Sequence, residues 1–281
     1  MSDTTIDRLA TWRAPAHWQA VDCISDLHLH SADQATFTGL QRYLQTANRA
    51  DALFILGDLF EVWVGDDVLL PRADDAQQPE RGFLRECIAL LQTHSRHTPT
   101  FFMAGNRDFL LGPAALSAAG MTGLDDPTVL DFLGQRWLLS HGDALCLEDT
   151  DYQRFRREVR SPAWQQAFLA RPLPEREALA GDMRARSETR KQALGNDPVL
   201  WADVDPDAAH QALQQANACT LIHGHTHRPA RHTLGSGERG QALQRIVLSD
   251  WDLRARPKRA EVLRLDAQGL KRLPLDTICA D

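Results

Sequence analysis

Short apolar runs along the chain keep ending in polar clusters. The run at 20–24 ends at Ser25-Asp26-Leu27-His28, and the run at 52–56 ends at Gly57-Asp58. The run at 100–104 ends at Gly105-Asn106-Arg107-Asp108, and the run at 136–140 at His141-Gly142-Asp143. A last run, at 219–222, ends at His223-Gly224-His225-Thr226-His227. Each is short, rich in Ile, Leu, Val or Phe, and bounded by Gly or Asp, which is the pattern of a buried strand rather than a helix. Amphipathic stretches at 37–47 and 82–92 lie between them and predict helices. Strand–helix alternation predicts an α/β fold with much parallel pairing. Polar residues at the carboxyl ends of such strands are where open α/β sheets hold ligands.

The segment 151–200 breaks the pattern, because it has no strand-like run. Tyr152, Phe155 and Val159 recur at helical spacing, Ser161-Pro162 restarts a helix carrying Trp164 and Phe168, and Pro172 and Pro174 interrupt before 175–191. This predicts a helical cap inserted at 151–200 within one domain spanning 1–281. The core resumes with strands at 244–249 and 260–265, and 72–79 reads as a polar loop.

Composition narrows the class. Of 281 residues 43% are hydrophobic and 25% charged, which excludes a disordered, collagen-like or disulfide-framework chain. The net charge of −7 gives no general electrostatic hold on nucleic acid. It is unevenly spread: 151–200 has ten basic and seven acidic residues, +3, which leaves −10 for the rest. The five cysteines are scattered with no Cys-x-x-Cys pair, and Cys23 and Cys219 fall in apolar runs, so buried free thiols of a reducing cytoplasm are expected. The first twenty residues lack the apolar core of a signal peptide, and no stretch is apolar enough to span a membrane.

The polar run ends carry the candidate chemistry. Asp26 and His28 are two apart, as are His225 and His227, so on an extended chain each pair shares a face. With Asp58, Asn106 and His141 they make seven N and O donors. Carboxylate, amide and imidazole without thiolate suit Mn²⁺, Fe²⁺, Zn²⁺ or Mg²⁺. Seven are too many for one ion, whereas two ions sharing a carboxylate use them naturally.

The order Asp-x-His, Gly-Asp, Gly-Asn, His, Gly-His-x-His resembles the calcineurin-like metallophosphoesterase superfamily. The resemblance implies a sandwich of two mixed β-sheets flanked by helices, and two divalent cations, with Mn²⁺ the family expectation. By that pattern Asp26, His28, Asp58 and His227 would hold one ion, and Asp58, Asn106, His141 and His225 the other. Asp58 would bridge them, and a metal-bound hydroxide would attack phosphorus. Gly57-Asp-Leu-Phe-Glu-Val-Trp-Val-Gly-Asp-Asp67, Gly105-Asn-Arg-Asp-Phe-Leu110 and His141-Gly-Asp-Ala-Leu-Cys146 are similar to one subgroup. It comprises the UDP-2,3-diacylglucosamine pyrophosphatases of lipid A synthesis, which also carry a helical insertion. Many superfamily members place a candidate general acid, His, where this chain has Arg107. Expelling a sugar phosphate needs little protonation, so a permanent cation fits that position better; the alternative is that Arg107 only pairs with Asp108.

The subgroup further implies substrate contacts at Asn106, Arg107, Asp149, Ser187, Lys191 and His225. It implies a lipid-linked UDP-sugar as partner, and a peripheral location on the cytoplasmic face of the inner membrane. Trp164 and Phe168 either pack the cap on the core or line a groove for acyl chains. Arg154, Arg156, Arg157 and Arg160 read as a solvated helix face, with an anionic membrane as the other reading. Glu61, Asp66, Asp67 and Asp143 are expected to orient ligating imidazoles, and His223 to be core or supporting. A phosphodiesterase or nucleotide phosphatase of soluble substrates, and a non-catalytic binding scaffold, remain open.

Overall fold

The computed structural model describes residues 9–46, 49–194 and 202–280; of the side chains in 186–194 it describes only that of Thr189. Its strands are β1 (Ala10–Arg13), β2 (Ala20–Ile24), β3 (Ala52–Leu56), β4 (Thr100–Met103), β5 (Met121–Leu124) and β6 (Thr128–Phe132), followed by β7 (Gln135–Ser140), β8 (Thr220–His223), β9 (Ala230–Ser236), β10 (Ala242–Val247), β11 (Glu261–Asp266) and β12 (Gly269–Pro274). Its helices are α1 (Gln34–Gln45), α2 (Pro79–Ser95), α3 (Pro113–Ala119), α4 (Thr150–Val159), α5 (Pro162–Leu169), α6 (Leu173–Leu194), α7 (Pro206–Ala216) and α8 (Leu275–Ile278).

The strands form two mixed six-stranded sheets, ordered β12-β11-β2-β3-β4-β5 and β1-β6-β7-β8-β10-β9. In the first, β2 to β5 are parallel and β11 returns antiparallel to β2. In the second, β7, β8 and β10 are parallel neighbours. Cys23, Phe54, Phe101 and Met103 meet Leu139, Ile222, Ile246 and Leu248 between the sheets. Strands buried on both faces read as continuous apolar runs, which is why β2, β3 and β4 stand out in the sequence.

Helices cover both outer faces. Phe37 and Leu40 of α1 and Phe83, Cys87 and Leu91 of α2 pack over the first sheet, while Ala209, Leu213 and Ala216 of α7 cover Leu138 and Leu221. Their starts follow capping chemistry: Asp33, Asp149, Ser161 and Asp205 accept N–H groups of the first turn, and Pro occupies the first turn of α2, α3, α5 and α7. The segment from Thr150 to Leu194 is three helices, α4 to α6, between β7 and β8.

Several expectations need correction. Strands β1, β5, β6, β9 and β12 were not anticipated. All but β6 are sheet edges, and half-exposed edges carry polar residues, while β6 is an interior strand whose apolar run Asp131 interrupts. The strand expected at 244–249 ends at Val247, and Pro79 of the expected loop 72–79 already starts α2. Cys219 is exposed, because it precedes β8 rather than lying in it; Cys279 is half-buried, and only Cys23, Cys87 and Cys146 are buried.

Candidate metal centre

Strands β2, β3 and β4 of one sheet and β7, β8 and β10 of the other end at a common rim. The polar run ends meet there. Trp251 N–H donates to the Asp26 carbonyl and Gly224 N–H to the His141 carbonyl, each at 3.0 Å. Among the described residues, seven other than glycine have positive φ, and five of them are Asp26, His28, Asp58, His225 and His227, at 55°, 48°, 51°, 66° and 52°. Asp and His enter this left-handed region more readily than most residues, yet each instance still costs on the order of 1 kcal/mol. The shared facing of Asp26 with His28 and of His225 with His227 therefore comes from left-handed kinks beyond β2 and β8, not from strand alternation as expected. Space is as tight as backbone. A Cβ on Gly57 (φ 87°) would strike the His141 ring, and a Cβ on Gly105 would strike the Asp58 carboxylate.

All seven predicted donors converge. His227 Nε2 lies 3.3 Å from Asp26 Oδ1 and 3.2 Å from His28 Nε2. Asp58 reaches His28 Nε2 with Oδ2 at 3.8 Å and His141 Nε2 with Oδ1 at 3.7 Å. Asn106 Oδ1 lies 3.0 Å from His141 Nε2 and 2.8 Å from His225 Nδ1. Asp26, His28 and His227 offer ligand atoms within 4.8 Å of one another, and so do Asp26, Asp58 and His141.

The donor set fits divalent cations by its own electrostatics. His141 donates from Nδ1 to the Leu56 carbonyl at 2.9 Å, so its Nε2 can donate to Asn106 only as an imidazolium. Burial opposes that charge, but Asp58, Asp143 and Asp26 push the imidazole up to about 9. Burial and the His141 charge press His225 down to about 4, so it stays neutral. Asp26, although burial favours its neutral form, is held far below the usual carboxylate range by His227, His141 and His28. Buried carboxylates thus recruit a proton onto a ligating nitrogen, and a bound cation takes the place of such a proton. Oxygen and imidazole donors without thiolate suit hard or borderline dications.

Supporting residues were only partly anticipated. Asp108, the alternative partner for Arg107, instead accepts four backbone N–H groups: Gly105 and Leu59 at 2.8 Å, Asp58 and Phe60 at 3.3 Å. Burial and Asp58 push its carboxyl up to about 6. Arg107 faces Glu61 at 3.7 Å, and its N–H donates to Asp58 Oδ1 at 2.8 Å. Of the four acids expected to orient imidazoles, only Glu61 faces one, with Oε2 3.0 Å from His28 Nδ1. Asp66 instead accepts the N–H groups of Gly112, Ala114 and Ala115 at the start of α3, and Asp67 binds Arg176 of α6. Asp143 accepts from the Tyr152 hydroxyl at 2.5 Å and Arg156 at 2.8 Å. His223 is fully buried and gives Nδ1–H to the Gly224 carbonyl, as a core residue. Asp250, 3.9 Å from His227 Nδ1, was missed, although it too follows an apolar run.

The cap contributes more than a solvated face. Arg154 and Arg157 are exposed, but Arg156 binds Asp143, and Arg160 donates to the Gly105 carbonyl at 2.8 Å while lying 5.3 Å over the Phe109 ring. Both were expected in solvent. They are drawn in because buried Asp143 and the Gly105 carbonyl lie under α4. Tyr152 stacks on His225 at 5.9 Å. Trp164 stacks on Phe168 at 4.7 Å and meets Phe109 of the core, so this pair packs cap on core. Asp149 caps α4, accepting Tyr152 N–H at 3.0 Å. Ser187 and Lys191 lie on α6, and their side chains fall outside the described residues.

Comparison with known proteins agrees with this geometry. Residues 20–229 match the calcineurin-like phosphoesterases. A UDP-2,3-diacylglucosamine hydrolase of Chromobacterium violaceum is 44% identical over 260 residues, 91% of this chain and 99% of its own. Its namesake in Xanthomonas oryzae pv. oryzae is 44% identical over 252 residues, 88% of this chain and 95% of its own. That of Pseudomonas fluorescens is 42% identical over 256 residues, 91% and 94% of the two chains.

Proposed function

The chain belongs to the calcineurin-like phosphoesterase family, and from that premise we propose how its cleft works on a pyrophosphate. The protein is a hydrolase of lipid A biosynthesis that cleaves UDP-2,3-diacylglucosamine to 2,3-diacylglucosamine 1-phosphate and UMP. The observation that carries this reading is likeness to relatives of that name over about nine-tenths of the chain, together with seven donors converging on one cleft.

Asp26, His28, Asp58 and His227 would hold one cation, and Asp58, Asn106, His141 and His225 the other, with Mn²⁺ as the metal. Bound there, two divalent cations neutralise the diphosphate and lower the pKa of an attacking water. Asp58, with one oxygen toward His28 and the other toward His141, is suited to serve both positions. Attack falls on the uridine-side phosphorus. Arg107, always charged, steadies the phosphoryl oxygens as the P–O bond lengthens. The departing sugar phosphate needs no proton donor, so an arginine suffices where an alkoxide would need an acid. Asp149, Ser187, Lys191 and His225 would contact substrate, and the apolar face of the cap would receive the acyl chains.

No helix among the described residues is long and apolar enough to cross a membrane. A peripheral position on the cytoplasmic face of the inner membrane would bring the cleft to a lipid-linked substrate. The test is UMP release by the purified protein with Mn²⁺, with chelator, and as Asp58→Ala. Activity should need metal and vanish in the variant; equal activity in Asp58→Ala would overturn the two-cation assignment.

A further inference from the structure

One carboxylate touches three separate parts of the cleft. Glu61 lies three residues after Asp58, and its side chain is 11% exposed. Its N–H donates to the Leu29 carbonyl at 3.1 Å, which pins it to the loop that carries His28. Oε2 lies 3.0 Å from His28 Nδ1. Oε1 lies 3.1 Å from Arg184 Nε, on cap helix α6, and 3.7 Å from Arg107. Its carboxylate thus lies against one imidazole and two guanidinium groups.

Each contact has a separate consequence. His28 turns Nε2 toward Asp26, Asp58 and His227 and Nδ1 toward Glu61. Glu61 Oε2 is the oxygen acceptor that faces Nδ1. An acceptor on that side favours the tautomer with the proton on Nδ1, and leaves the Nε2 lone pair for the cleft. The other oxygen of the carboxylate attracts Arg107 without locking it: 3.7 Å is too long for the tight pairing in which Arg176 Nη2 reaches both Asp67 oxygens, at 2.6 and 2.7 Å. A guanidinium held this loosely can turn to a phosphate at small cost. The other acids of the same loop are committed elsewhere, Asp66 to α3 and Asp67 to Arg176.

Building on the two-cation reading above, we propose that Glu61 is the positioning residue that fixes the His28 tautomer and holds Arg107 and Arg184 ready for the diphosphate. One carboxylate then couples the cap to the metal-binding loops. Metal affinity and phosphate capture both depend on it, by different chemistry.

Two variants separate those effects. Glu61→Gln keeps an oxygen facing His28 Nδ1 but removes the charge that gathers the arginines; Glu61→Ala removes both. Wild type and variants are compared by Mn²⁺ titration calorimetry, by kcat and KM for UMP release, and by thermal unfolding. Glu61→Gln should bind Mn²⁺ within about threefold of wild type, yet lose roughly tenfold in kcat/KM, whereas Glu61→Ala should lose about 10–100-fold in Mn²⁺ affinity as well. Both should unfold close to the wild-type temperature. Wild-type Mn²⁺ affinity in Glu61→Ala would overturn the proposal, as would activity losses that simply follow lowered unfolding temperatures. If wild type binds Mn²⁺ but releases no UMP, the functional reading fails, while calorimetry still decides whether Glu61 governs His28.

Discussion

On the core wall of the cleft, Asp58 and its loop are held by backbone. Asp108 takes four N–H groups at once, Gly57 and Gly105 leave no room for a Cβ, and left-handed kinks aim the donors. On the cap wall, α4 and α6 reach the same loops through long arginine side chains: Arg160 to the Gly105 carbonyl, Arg156 to Asp143, and Arg184 to Glu61. Their side chains are 22%, 19% and 44% exposed. The root of α6 is firmer, with Arg176 and Arg81 buried and doubly bonded to Asp67 and Glu177. Backbone anchoring keeps donor atoms where a cation requires them. Solvent-facing arginine pairs weaken with salt and can exchange partners when a polyanion arrives. The cleft is rigid where it binds metal and adjustable where substrate enters.

The contrast can be broken from the core side first. Asp108→Asn turns one acceptor oxygen into a donor that confronts two backbone N–H groups. The loss should be about 1–3 kcal/mol for each N–H abandoned, read by urea unfolding, together with loss of Mn²⁺ binding. Gly105→Ala should come next: its Cβ strikes both the Asp58 carboxylate and the Asp58 backbone nitrogen, so UMP release should fall roughly 100-fold and the unfolding midpoint should drop as well. Arg160→Gln tests the cap wall and should lower activity only about threefold to tenfold, because it removes one contact of a half-exposed side chain to the Gly105 carbonyl. Arg154→Gln, on the outward face of α4 with 74% of its side chain exposed, should leave activity within about twofold of wild type. If Arg160→Gln proved as damaging as Gly105→Ala, the division between rigid and adjustable walls would be wrong.

Legibility in the sequence followed burial. Strands covered on both faces appear as unbroken apolar runs, and their polar ends identified Asp26, His28, Asp58, Asn106, His141, His225 and His227 as a group. Edge strands, half in water, carried no such signal. Asp108 stood in plain view beside Arg107, but a carboxylate in a motif looks the same whether it binds a cation, an arginine or four N–H groups. Arg156 and Arg160 differ from Arg154 and Arg157 only by their place around α4, and which side of a helix meets a buried acid depends on how that helix docks.

The local sequence determined the runs, their polar ends, the helix caps and the donor types, because hydrophobic pattern and capping act between neighbours in the chain. Only the tertiary structure decided that two sheets bring six strand ends to one rim. It alone showed that the paired donors are aimed by left-handed kinks rather than strand parity, and that Glu61 stands between His28, Arg107 and Arg184. Those facts rest on contacts between residues tens to hundreds of positions apart, whose distances are set by packing and not by spacing along the chain.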